Sequence, residues 1–94
     1  MSPAEMNLLY TFIAEYKGGT YISQIEAESL GAAVSRWRQS EVAVIAKASK
    51  TDVSNFRFDS LGEGVAIDGC QNVWCFSNSV DDCFLLINVV STVG

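Results

Sequence analysis

The run Cys83-Phe84-Leu85-Leu86-Ile87-Asn88-Val89-Val90 is apolar at every position except Asn88. Its residue types and its length predict a strand over Cys83–Ser91. An antiparallel strand with one wet face alternates apolar and polar residues, and this one does not. Both of its faces are therefore expected to be covered, one by a helix and the other by a second subunit or a ligand. On this reading Leu85, Ile87 and Val89 are the expected interface residues.

Composition points the same way. The chain has 94 residues, 49% of them hydrophobic and only 18% charged, with a mean hydropathy of +0.21. That length fits one core. A small domain has a large surface for its volume, and this one has few charges to cover it. Apolar surface buried between chains, most simply in a two-fold homodimer, is the expected consequence. Residues 1–5 are read as a disordered leader or an alternative start, and residues 6–94 as a single domain.

The net charge is −5, and all of it lies in the second half. Residues 51–94 hold Asp52, Asp59, Glu63, Asp68, Asp81 and Asp82 against Arg57 alone. An acidic surface repels phosphate backbones, so nucleic acid is not an expected partner, whereas a basic protein is compatible. Arg36, Arg38, Lys47, Lys50 and Arg57 cluster around Trp37, but Trp37 falls on an apolar helical stripe. The cluster reads as a solvated face. The apolar runs are too short to cross a membrane as a helix.

Local patterns outline the fold. Tyr10–Lys17 and Thr20–Ala27 are rich in aromatic and β-branched residues and flank Gly18-Gly19, which predicts a hairpin turning on the two glycines. That turn pairs Lys17 with Thr20, Tyr16 with Tyr21, Ala14 with Ser23, Phe12 with Ile25 and Tyr10 with Ala27. Alternation gathers Tyr10, Phe12, Ala14, Tyr16, Tyr21, Ser23, Ile25 and Ala27 on one face. Thr11, Ile13, Glu15, Ile22, Gln24 and Glu26 take the other. Ser29 is a predicted N-cap for a helix whose Leu30, Ala33, Val34 and Trp37 form one stripe. Residues 41–48 fit a second short helix, although Val42 and Val44 also fit a strand. The remainder reads as a meander: Phe56–Asp59, a turn at Gly62-Glu63-Gly64, Val65–Ile67, a turn at Asp68-Gly69, Val73–Phe76, a polar loop over Ser77–Asp82, and the final strand. The expected fold class is α+β in two layers. An antiparallel sheet of about five strands in the order ββα(α)βββ carries one main amphipathic helix on one face.

Residues able to do chemistry are scarce. The chain has no histidine, which removes the commonest general base and metal ligand. Cys70, Cys75 and Cys83 lack a fourth sulfur or nitrogen donor for zinc and the two-residue spacing of a redox pair. An odd cysteine count, with no basic and apolar leader over Met1–Glu5, reads as reduced thiols and a cytoplasmic location. Asp59 and Asp68 are the remaining acid pair, and both read as solvated turn residues. No metal, cofactor or catalytic residue is expected.

Trp74 and Asn88 stand apart. An amide on an apolar strand needs a partner, so these two are the first candidates for a recognition surface. Tyr16 and Tyr21, with Trp37, are candidates for an aromatic pocket between helix and sheet. The opening order of two strands and a helix, with Tyr10-Thr11-Phe12-Ile13-Ala14 starting the hairpin, resembles small bacterial antitoxin domains of the HicB type. That resemblance covers the first 40 residues, is one of topology, and assigns no residue a role; the C-terminal meander departs from it.

The expected function is thus a non-catalytic, self-associating protein-interaction module. The alternatives are a small-ligand regulatory domain or minor enzyme using the aromatic pocket, and an acidic antitoxin or immunity protein.

Overall fold

The computed structural model describes residues 8–56, 65–67 and 69–93. The hairpin strands are β1 (Leu8–Tyr16) and β2 (Gly19–Ala27), followed by helices α1 (Leu30–Ser40) and α2 (Val42–Ser49) and a 3-10 turn at Val53–Asn55. The meander is β3 (Val65–Ala66), β4 (Val73–Val80) and β5 (Cys83–Val93). The five strands form one antiparallel sheet in the order β2-β1-β5-β4-β3. The expected α+β class is what the structure has, and residues 42–49 are helical.

This order decides which face is covered. β2 and β3 are opposite edges of the sheet, so the segment joining them must cross one whole face. It crosses as α1 and α2, and their apolar stripes supply the reason. Ala33 and Trp37 of α1 and Val42, Ile45 and Ala46 of α2 are buried, on the face that carries Tyr10, Phe12, Ala14 and Tyr16. Trp37 stacks on Phe12, with ring centroids 5.6 Å apart. Tyr16 meets Phe56 edge-on at 5.4 Å and donates a buried hydrogen bond of 3.0 Å from its hydroxyl to the Val80 carbonyl oxygen. Ser29 caps α1 by accepting from the Ala32 amide at 3.2 Å. Arg36 donates to the Glu26 carbonyl oxygen, which ties α1 to the end of β2.

The hairpin turn lies one residue earlier than the glycine pair suggests. Lys17 (φ 49°) and Gly18 (φ 79°) are its two central residues, the mirror-image turn that matches strand twist. The register is Tyr16 opposite Gly19, Ala14 opposite Tyr21, Phe12 opposite Ser23 and Tyr10 opposite Ile25. This is a two-residue shift from the expected pairing, so every side chain keeps its expected face. Gly19 serves packing: a Cβ there would lie 2.8 Å from the Tyr21 hydroxyl oxygen. The Lys17 ammonium, carried in the left-handed region, donates to Thr51 Oγ1 at 3.0 Å.

The expected polar loop over Ser77–Asp82 is mostly strand. β4 continues to Val80, and only Asp81 (φ 52°) and Asp82 (φ 61°) turn the chain. Ser77 and Ser79 point outward while Phe76 and Val80 are buried, so the two serines are the outward half of an alternation. The strand expected at Phe56–Asp59 begins on a buried Phe56 that closes the 3-10 turn. Its other residues lie outside those described, as do Gly62-Glu63-Gly64 and Asp68.

Candidate functional site

The sheet has an inner face under the helices and an outer face that, among the described residues, no helix or loop packs against. The strand register carries one row of outer residues straight across it. Ile22 lies opposite Ile13, Ile13 opposite Asn88, Asn88 opposite Cys75, and Cys75 opposite Val65. The next row on one side is Gln24, Thr11, Val90 and Val73, and on the other Thr20, Glu15, Leu86 and Ser77. Phe84 lies beyond Leu86, opposite Ser79.

Large apolar side chains are open to solvent here: Ile22 is 67% exposed, Val65 69% and Phe84 68%. Ile13, Val73, Leu86 and Val90 are half-buried. Charge is confined to one side. The charged outer residues among those described are Glu15 on β1 and Glu26 on β2, and the outer sides of β4 and β5 have none. Gln24 donates to Thr11 Oγ1 at 3.1 Å, so the polar pair on β1 and β2 is satisfied within the face.

Asn88 is at the middle of this surface. β5 is the third of five strands, and Asn88 is the third of the outward series Phe84, Leu86, Asn88, Val90 and Thr92. It is half-buried among Ile13, Cys75, Leu86 and Val90. Its side-chain amide makes no hydrogen bond with any described residue.

The other residues singled out in the sequence are placed elsewhere. Leu85, Ile87 and Val89 are 0%, 1% and 0% exposed, packed in the chain's own core beneath the helices. They are not on an open surface. The residues facing outward from the same strand are their neighbours Phe84, Leu86, Asn88 and Val90. Trp74 is on the inner face at its open end, tilted against Tyr10 at 6.4 Å, on the opposite side of the sheet from Asn88. Tyr16 and Trp37 are buried and Tyr21 is half-buried against the same cluster, so these rings fill the core and line no cleft. A shallow groove of about 500 Å3 is instead lined by Ser35, Arg38, Gln39, Val42, Val53 and Phe56 at the corner of the helical layer. Sequence reasoning missed Ile13, Ile22, Leu86 and Val90 as one patch. Its signal was present in the even-numbered residues of 84–90 and in two isoleucines on the polar side of the hairpin.

Among the described residues no acid–base or metal constellation takes shape. Among the described residues no three His, Cys, Asp or Glu side chains converge. The three cysteines are free, Cys70 exposed and Cys75 and Cys83 half-buried. Asp81 accepts from Asn55 Nδ2 at 2.9 Å as a turn contact. Burial, and then the nearby Glu28 carboxylate, push the Tyr10 phenol up. With Trp37 buried under the helices, no base can stack on it. Among the described residues no helix is long and apolar enough to cross a membrane. Compared with known proteins, the chain matches no family model, no curated protein and no solved structure.

Proposed function

We propose that this chain is a non-catalytic protein-interaction module that self-associates through the outer face of its sheet. The observation that supports this reading is the five-strand row Ile22, Ile13, Asn88, Cys75 and Val65, lying in register on a surface that no helix or loop among the described residues covers. Monomers seldom leave a contiguous apolar patch of this kind in water.

Size and charge favour a second copy as the occupant. With strands about 4.8 Å apart and outward residues about 6.8 Å apart, the face measures on the order of 650 Å2. A standard stable interface buries roughly 600–1,000 Å2 per partner. The chain carries a net charge of −5, so a copy meets repulsion unless the contact itself is free of charge. The outer sides of β4 and β5 meet that condition, and the two acids on the β1–β2 side, Glu15 and Glu26, sit near the ends of their strands, toward the rim of the face. A basic partner would be drawn to acids, and Glu15 and Glu26 lie on the β1–β2 side of the patch. Free thiols fit a cytoplasmic setting for such a module.

The test is mass in solution. Light scattering at tens of micromolar should give twice the 10.2 kDa chain mass. Phe84→Lys and Leu86→Lys should each give a folded monomer with unchanged circular dichroism. A wild-type chain that stays monomeric at that concentration overturns the proposal.

A further inference from the structure

We infer that Asn88 pairs with its own copy across a two-fold axis and thereby fixes the arrangement of the dimer. This rests on the outer-face dimer proposed above. In an isologous contact a residue at the centre of the patch meets itself, while residues away from the axis meet different ones. Asn88 is central both across the strands and along them.

Its chemistry suits that position. A carboxamide offers one acceptor oxygen and two N–H donors, so two of them can donate to each other reciprocally. A carboxylate or an ammonium would repel its own copy. The neighbours Ile13, Cys75, Leu86 and Val90 leave the amide no competing partner among the described side chains.

The rest of the patch is a poor guide to orientation. Two flat faces of Ile, Val, Leu and Phe can slide over each other with little change in buried area. An arrangement that sets Asn88 against the Ile13, Leu86 or Val90 of the other copy buries an unpaired amide on each chain, and that penalty separates it from the one in which the two amides meet. A single buried asparagine selects register in coiled coils for the same reason.

A charge swap tests the juxtaposition directly. Asn88→Asp and Asn88→Lys should each weaken the homodimer by roughly a hundred-fold, because each places two like charges together in a dry contact. An equimolar mixture of the two variants should regain a dimer of mixed composition, read by native mass spectrometry. If each variant alone is monomeric and the mixture stays monomeric, Asn88 is in the contact but does not meet itself, and the inference fails while the dimer reading stands. If neither variant dissociates, the inference fails again. A monomeric wild-type chain removes the dimer reading as well. Should either charged variant not fold, Asn88→Leu provides a second readout. It should keep the dimer but show more than one set of amide resonances where wild type shows one; a single set overturns the inference.

Discussion

The two faces of β5 carry similar side chains and meet opposite fates. Leu85, Ile87 and Val89 are sealed beneath α1 and α2, while Phe84, Leu86 and Val90 look outward from the same strand. Hydrophobicity alone does not distinguish them. What does is the path of the chain after β2: the helices α1 and α2 lie on one side of the sheet, and among the described residues no element packs on the other. An apolar strand is thus no guarantee of burial within its own chain: topology decides how many faces the chain can cover.

Adjacent substitutions of the same chemistry break that symmetry most sharply. Ile87→Asp places an unpaired carboxylate in the core and should cost more than about 4 kcal/mol, a large share of the roughly 5–15 kcal/mol that stabilises a small domain. Circular dichroism and urea denaturation would show it. Leu86→Asp, one residue away, should change the stability of the folded chain by less than about 1 kcal/mol yet abolish the dimer by light scattering. If both variants unfold, or neither affects association, the distinction between the faces is wrong.

A smaller effect probes how the inner layer is closed. Tyr16 reaches from the end of β1 to the Val80 carbonyl oxygen. Tyr16→Phe leaves that buried acceptor without its donor and should cost about 1–2 kcal/mol, read as a lower urea midpoint with an unchanged slope. Ser29→Ala removes the N-cap of α1 and should cost about 1 kcal/mol. Both act on the helical side, so neither should shift the monomer–dimer midpoint once the chains are folded.

Much of the fold was legible because local chemistry and global packing agree. The period-two pattern of Tyr10–Tyr16 buries Tyr10, Phe12, Ala14 and Tyr16, and the stripe Leu30, Ala33, Val34 and Trp37 buries Ala33 and Trp37 with Leu30 and Val34 half-buried beside them. Face assignment survived the misplaced hairpin turn because a two-residue shift preserves alternation. The turn itself was not legible: a Gly-Gly pair signals a turn, but here Lys17 takes the left-handed position and the second glycine begins β2, where it yields space to the Tyr21 ring two residues on. Ser77 and Ser79 read as loop because the partner that makes Val80 a core residue is distant in sequence. The outer face was half legible. Asn88 stands out in the sequence because an amide sits among apolar neighbours, but alternation defines two faces of β5 without saying which one the helices take, so Leu85, Ile87 and Val89 read as interface where the structure buries them in the chain's own core.

The smallest effect belongs to neither face and serves as a control. Asp52 accepts from the backbone N–H and the hydroxyl of Ser54 at 3.0 and 2.9 Å, and these bonds hold its carboxyl below the usual range, the backbone bond most of all. Because the folded value is depressed, the bonds favour the fold fully above the unfolded value of about 3.9. That contribution fades as pH falls through the folded value, where the carboxylate takes up its proton. Asp52 is exposed on the segment between α2 and the 3-10 turn, which packs against α2. Asp52→Ala should therefore leave the dimer midpoint unchanged at neutral pH while flattening the acid limb of the stability profile. An Asp52→Ala chain that dissociates would mean that association runs through the helical layer, and the outer face of the sheet would lose its claim.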